Sequence, residues 1–463
     1  MRTLVRGGRV VVGQHVTRGD VLLDGGRVTA VGAVPELAVD RVLDATGAYV
    51  LPGLIDLHVH LDDRIGRFYL ADDYASGTAA AVLNGVTTVG SFVTQESGES
   101  LAAAMARARA KADGHSHADL FWHLTPTTFA DADLAFLRSL PPLGYRTVKL
   151  YTTYRDAGIY TDWERMARLF ETLTPAGIGF LVHCESDELL PTTPPESLDL
   201  GTAAAHARLR GAHAEADAIA RVADLAAATG ARVHVVHVSS PEGAAAVAAG
   251  RRGGALTCET CPQYLWLDEG YLARPDGHRW MCTPPLRPDP AAQRALARAG
   301  GFDVLATDHC PFRRADKDDW DGRDVRTVAN GLPGVGALTH LAWAVWADDP
   351  DAAALALGRH LAAEPARVAG LSGRKGTLAP GMDADVVVLD PAGPSRSVRA
   401  TRADAHDPYP GFTSPLAFRH VVRRGEVVVA DDRLVAPDHP GGRLLQAAPP
   451  TPLTDGAHPE ETT

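Results

Sequence analysis

Eight short apolar runs alternate with alanine-rich stretches through the middle of this chain, and that alternation constrains the fold more than any other feature of its 463 residues. The runs fall at 50–57, 87–92, 120–124, 147–151, 179–183, 233–238, 255–259 and 303–307. Each is rich in branched aliphatic residues and short enough to read as a buried strand. The first overlaps the run Tyr49 to Ile55, which reads as a single buried strand. Between many of the runs the spacing turns helical. From Glu215 to Thr229, Ile219, Val222 and Ala226 share one face, and Gly230 is placed to stop the helix. Eight strands in βα alternation is the count that closes a (β/α)8 TIM-like barrel. A doubly wound open sheet would place a glycine-rich phosphate loop after an early strand, and the sequence has none.

The two ends of the chain read differently from the middle. Residues 1–48 hold short β-like runs broken by Asp-Gly and Gly-Gly, and the same style returns at Asp385–Asp390 and Val421–Val429. Both ends are therefore expected to meet in one smaller β-sandwich. The expected division is 1–50 for its N-terminal part, 51–370 for an α/β barrel domain, 371–436 for its C-terminal part, and an extended or disordered tail at 437–463, where Pro, Gly and polar residues dominate.

Composition narrows the function classes. There are 57 acidic against 45 basic residues, a net charge of -12, which argues against nucleic acid or an anionic membrane surface as a main partner. Five thinly spread cysteines suit reduced thiols in a cytoplasm rather than a disulfide framework. The N-terminus leads into a strand-like run instead of a signal peptide's apolar core. No segment approaches the ~20 apolar residues of a membrane span. The expectation is a cytoplasmic protein acting on a small molecule.

Polar residues stand at the ends of the expected strands. His58 and His60 follow the first, Lys149 lies inside the fourth, His183 ends the fifth, His237 the sixth, and Asp308 the eighth. Residues i and i+2 of a strand face one side, so His58 and His60 point into one space. Barrel active sites sit at the C-terminal strand ends, where these scattered residues would converge. Imidazoles with a carboxylate suit Zn, Mn, Fe or Co. Taken singly, each has a plainer reading: a bonded core histidine, a snorkelling lysine, an aspartate capping a turn before Pro311. Cys258 and Cys261 lack a second Cys/His pair at zinc-finger spacing and read as structural thiols. Together, all at strand ends, the polar residues point to a metal site.

The motifs also resemble a known family. Pro52-Gly53-Leu54-Ile55-Asp56 before the His-x-His, Thr260-Cys261-Pro262-Gln263-Tyr264-Leu265, Thr283-Pro284-Pro285-Leu286-Arg287, Thr307-Asp308-His309-Cys310-Pro311-Phe312, Asn330-Gly331-Leu332-Pro333-Gly334 and a late Gly376 to Asp385 segment resemble the amidohydrolase superfamily. Within it they are most similar to the cyclic amidases of the dihydropyrimidinase and hydantoinase branch, with allantoinases and dihydroorotases as cousins. The resemblance covers nearly the whole chain. It implies a pair of divalent metal ions, usually Zn2+, with His58, His60 and Asp308 on one and His183 and His237 on the other. Lys149 would bridge them after carboxylation by carbon dioxide. The implied reaction is hydrolysis of a ring amide by a metal-bridging hydroxide, with Tyr154 bonding the oxyanion, Asp308 moving the proton, and backbone groups of Thr283 and Asn330 holding the ring. Relatives also imply a homo-oligomer, tetramer or dimer.

Some positions depart from the family pattern. Dihydroorotases carry an arginine where this chain has Asp62, followed by Asp63, which would repel a substrate carboxylate there, with Arg64 a partial substitute. Cys184-Glu185-Ser186-Asp187 replaces the usual Ala-Glu-Asn-Gly, and Leu150 to Thr153 is more polar than its hydantoinase counterpart. These leave the ring substituent open. Two other classes stand beside the main reading: a non-catalytic scaffold of the same fold, against which the intact ligand set argues, and a deaminase or deacetylase on the same barrel.

Overall fold

Eight parallel strands form one sheet in the computed structural model, which describes residues 1–34, 37–251 and 256–446. They are Leu54–Val59, Val86–Thr94, Asp119–Thr125, Thr147–Tyr151, Gly179–His183, Val233–Val235, Leu256–Thr260 and Val304–Leu305, each beside its neighbour in chain order. A parallel bridge from Val59 to His309, with the His60 amide donating to the His309 carbonyl at 2.8 Å, joins the first to the eighth and closes the barrel. These strands are buried on both faces, which is why they read as continuous apolar runs.

The sixth and eighth strands are shorter than the sequence suggests. They stop at Val235 and Leu305, and beyond them His237 and Asp308 take positive φ values of 39° and 50°. Asp62 and Tyr154 share this left-handed conformation. The helix expected from Glu215 runs from Ala212 to Thr229, buries Ile219, Val222 and Ala226, and stops at Gly230 with φ 69°.

The run from Tyr49 to Ile55 is two strands rather than one. Tyr49–Pro52 belongs to a second sheet, and the barrel begins after Gly53. A Cβ on Gly53 would sit 2.3 Å from Thr87 Oγ1 and 2.6 Å from Asp385 Cβ, so only glycine lets the chain cross between the sheets there.

The second sheet has nine strands, drawn from residues 2–52 and 386–434. Strand Val386–Asp390 pairs antiparallel with Tyr49–Pro52 and with Ala417–Arg423, so both chain ends share it. Its alternation is two-sided. Val386 and Val388 pack with Val5, Val21 and Val50, whereas Val387 and Leu389 pack into the cluster shared with the barrel and its helices.

The base of the barrel is closed by chain and charge. Residues 441–446 run along the start of the third strand, where the Leu120 amide donates to the Arg443 carbonyl at 2.8 Å. Leu445 is buried with Ile55, Leu57, Phe121 and Val304. The rest of the expected tail, from 447, lies outside the described residues. Beside this segment, buried Lys375 bonds Asp119 at 2.8 Å and Asp385 at 2.5 Å, and Asp119 also takes Arg424. Among the described residues, no helix is long and apolar enough to cross a membrane.

Candidate active site

Asp56 organises the join between the first and last barrel strands. Fully buried, it accepts from the His58 amide at 3.3 Å and from the amide and hydroxyl of Thr307 at 3.1 and 2.6 Å. That clamp sets His58 and Asp308 face to face. His58 Nε2 lies 3.0 Å and His60 Nε2 3.5 Å from the same Asp308 oxygen. The ligating atoms of these three residues all lie within 4.8 Å of one another.

The other imidazoles stand close by. The rings of His183 and His237 are 4.5 Å apart, and those of His58 and His237 5.5 Å apart. His183 Nε2 bonds Glu185 at 2.7 Å, which turns Nδ1 away from that carboxylate. His237 Nδ1 is buried without a hydrogen-bond partner. Lys149 is 1% exposed, and among the described residues its ammonium has no carboxylate within ion-pair distance. It lies 5.2 Å from the ring centroids of both Phe92 and Tyr151.

Electrostatics divide these groups into two kinds. Burial lowers the pKa of His60, of His183 and, most strongly, of His237, keeping their lone pairs free. Burial also pulls Lys149 down to about 8. At Asp308 burial pushes upward, but His58 and His60 outweigh it and hold the carboxyl well below its ordinary range. At His58 burial pulls down, but Glu259 and Asp308 outweigh it and raise the pKa. A proton between His58 and Asp308 satisfies this pair, and so does a cation. Neutral imidazoles, an anionic carboxylate, an unpartnered buried ring nitrogen and an uncompensated lysine fit a divalent metal site.

Tyr154 lies beside the same cluster, its ring 5.1 Å from that of His183 and the Arg210 guanidinium 5.1 Å from its ring centroid. The adjacent residues are pinned. Thr153 Oγ1 donates to Asp187 at 3.0 Å and Arg155 Nε donates to Asp187 at 2.6 Å. Thr283 Oγ1 lies 3.2 Å from His206 Nε2. Asn330 donates to the Val328 carbonyl at 3.1 Å, while its Oδ1 is buried without a partner. The Gly331 amide bonds the Met281 carbonyl at 3.0 Å, which places the Thr283 and Asn330 loops side by side.

Several supporting residues escape sequence reading. Glu259 takes His58 Nδ1 at 2.5 Å, His234 Nε2 at 3.1 Å and the His237 amide at 3.3 Å. Its signal was a lone carboxylate in an apolar strand, overshadowed by the flanking cysteines. Glu185 joins His183 to Arg210, whose Nη2 lies 2.8 Å away, and nothing in the sequence marks Arg210. Asp62 is not a free charge: Lys111 bonds both its carboxylate, at 3.1 Å, and its carbonyl. Arg64 turns to the Gly66 carbonyl at 3.0 Å. His309 uses Nε2 on Asp72 at 3.2 Å and Nδ1 on the Gly334 amide at 3.0 Å, so it takes no part in the cluster.

A barrel whose C-terminal strand ends gather four imidazoles, a carboxylate and an uncompensated lysine is built for metal-assisted chemistry. Comparison with known proteins gives that class a family. Residues 49–129 match the model of the amidohydrolase family. The chain is 33% identical over 454 residues to a D-hydantoinase of Streptomyces coelicolor, covering 93% of this chain and 95% of that one. It is 31% identical to a D-hydantoinase of Ralstonia pickettii, covering 94% and 96%. The crystal structure of a dihydropyrimidinase from Brevibacillus agri superposes with a TM-score of 0.90 at 30% identity, over 97% of this chain and 99% of that one. The chain belongs to the amidohydrolase family, in its hydantoinase and dihydropyrimidinase branch. That membership implies a binuclear divalent metal centre, and His58, His60 and Asp308 form a cluster able to hold a cation.

Proposed function

We propose that this chain opens dihydropyrimidines, hydantoins or related cyclic ureides and imides by hydrolysis, releasing N-carbamoyl amino acids. The observation that carries the reading is the convergence of His58, His60 and Asp308 with the close pair His183 and His237 around a buried lysine. His58, His60 and Asp308 would hold one ion and His183 and His237 the other. Zinc suits these donors best, with manganese, cobalt and iron also accepted. Held there, two such ions would supply a water of lowered pKa and polarisation of the scissile carbonyl.

The remaining steps belong to the chain's own residues. Lys149 would carry the bridging carbamate: burial lowers its pKa to about 8, so a minor fraction of the amine is neutral near pH 7, far more than for an ordinary lysine, and able to add to carbon dioxide with loss of one proton. The carbamate offers two anionic oxygens where an ammonium offers none. Burial raises the Tyr154 pKa, so its hydroxyl keeps its proton and donates to the oxyanion as the carbonyl becomes tetrahedral. Asp308, held as an anion, accepts the proton of the attacking water and returns it to the ring nitrogen as the C–N bond breaks. Backbone groups of Thr283 and Asn330 hold the ring's amide and carbonyl. The protein works in the cytoplasm, where its five free, buried cysteines stay reduced, as a homo-oligomer, tetramer or dimer.

The test is ultraviolet-monitored ring opening by metal-loaded protein across dihydrouracil, dihydrothymine, 5-substituted hydantoins, allantoin, succinimide-type imides and dihydroorotate. Turnover of dihydropyrimidines or hydantoins supports the reading. Silence across the panel, in protein shown to hold two metal ions, removes this substrate class.

A further inference from the structure

Lys317 is a fully buried amine that the mechanism does not use. It lies on the short helix Arg314–Asp318, is 1% exposed, and among the described residues has no carboxylate within ion-pair distance. Its Nζ donates to two backbone carbonyls, Met281 and Ala329, each at 3.0 Å. Those carbonyls belong to separate loops. Met281 stands two residues before Thr283 and Ala329 one residue before Asn330.

The two loops also share an apolar cluster, in which Met281, Cys282 and Leu286 pack with Val328 and Leu332, but polar ties between them are few. The Gly331 amide reaches the same Met281 carbonyl at 3.0 Å. On its other side the second loop lies flush against the eighth-strand turn, where a Cβ on Gly331 would come within 2.7 Å of Cys310 Sγ. The polar ties between the loops thus meet at one node, the Met281 carbonyl, and Lys317 is the only side chain among the described residues that hydrogen-bonds both. Burying an amine is costly unless its protons are directed to acceptors. A methionine or leucine would fill the same volume without that cost but would leave both carbonyls without this donor.

We propose that Lys317 is a positioning residue for the ring substrate: it fixes the distance between the backbone groups of Thr283 and Asn330, and so the fit of the ring between them. This rests on the reading that those two backbone groups hold the ring. Lys317 touches neither the metal-ligand candidates nor the reacting atoms, so its effect falls on substrate binding and leaves the metal complement intact.

The experiment compares wild-type, Lys317→Met and Lys317→Gln proteins, each metal-loaded. It reads KM and kcat for the best ring substrate, metal content, and hydrogen exchange of the 281–286 and 328–332 loops. The expected result for Lys317→Met is a KM at least tenfold higher, a kcat within about threefold of wild type, two metal ions retained, and faster exchange in both loops. Lys317→Gln, with one amide donor group, falls between and serves as the test if Lys317→Met does not fold. Unchanged KM with unchanged exchange overturns the role of Lys317 itself. Unchanged KM with faster exchange overturns the proposal through its premise, because the loops would then be braced by Lys317 without holding the ring. A loss confined to kcat, or a loss of metal, also overturns it.

Discussion

The two ends of the barrel treat buried charge in opposite ways. At the base, Lys375 is 2% exposed and surrounded by Asp119, Asp383 and Asp385 at 2.8, 3.4 and 2.5 Å. At the mouth, Lys149 is equally buried, yet among the described residues it has no carboxylate within ion-pair distance and lies 5.2 Å from two aromatic rings. Its pKa falls to about 8 through burial. A protein interior compensates a charge wherever stability is the only demand. Leaving one uncompensated beside neutral imidazoles and an anionic aspartate stores a demand for outside ligands. The base is finished when the chain folds, whereas the mouth is finished by what it binds.

The sharpest way to break this contrast is to remove each lysine in turn. Lys149→Ala is expected to lower turnover at least a thousandfold and to cost much of the metal, with partial recovery of both on adding short carboxylates. Metal analysis and initial rates check it, and a variant with full metal and full rate would erase the distinction. Lys375→Met should do the reverse. It leaves Asp385 buried without its cation and takes one cation from Asp119 and Asp383, which keep Arg424 and Arg374, at a cost of about 3–5 kcal/mol in stability, while turnover per folded molecule holds. Urea unfolding monitored beside activity separates the two quantities.

Smaller changes refine the comparison. Tyr154→Phe removes one oxyanion donor, which typically contributes ~3 kcal/mol, and should lower kcat with metal content intact. Unchanged kcat at saturating substrate would take Tyr154 out of the mechanism. Between the two ends, His123 tests acid sensitivity. Buried against the Leu57 carbonyl and Thr147, it has a pKa lowered by burial to about 3. The unfolded chain therefore binds this proton first, near pH 6.5. Stability is full above that pH and falls as the pH drops towards about 3, by about 2 kcal/mol at pH 5. Urea midpoints at pH 8 and pH 5 measure the fall, and an identical fall in His123→Asn would assign it elsewhere.

The barrel was legible in the sequence because parallel strands buried on both faces leave unbroken apolar runs, and because candidate ligands stand where those runs end. What escaped was whatever depends on a partner distant in sequence. Tyr49 to Ile55 reads as one strand because apolar periodicity does not reveal which sheet each half joins; Gly53 divides it through a contact with Asp385. Asp62 reads as a repelling charge because its partner, Lys111, lies 49 residues away. Glu259 serves three neighbours from two other strands, and Arg210 meets Glu185 and Tyr154 only across loops. Periodicity finds the surface of a site, and the layer behind it is written in three dimensions.

The segment that seals the base bears on how the molecule is assembled. Leu445 packs beneath Ile55 and Leu57, in the strand that presents His58, across nearly the whole length of the chain. Gly442 presses so closely on the third strand that a Cβ there would lie 2.0 Å from the Ala118 carbonyl. A polypeptide made from its N-terminus has its catalytic strands long before it has their floor. Contacts of such long range are slow to form, so completing the barrel is a late event that awaits these residues, and a fusion or truncation placed just before Gly442 would disturb a site at the opposite end of the molecule.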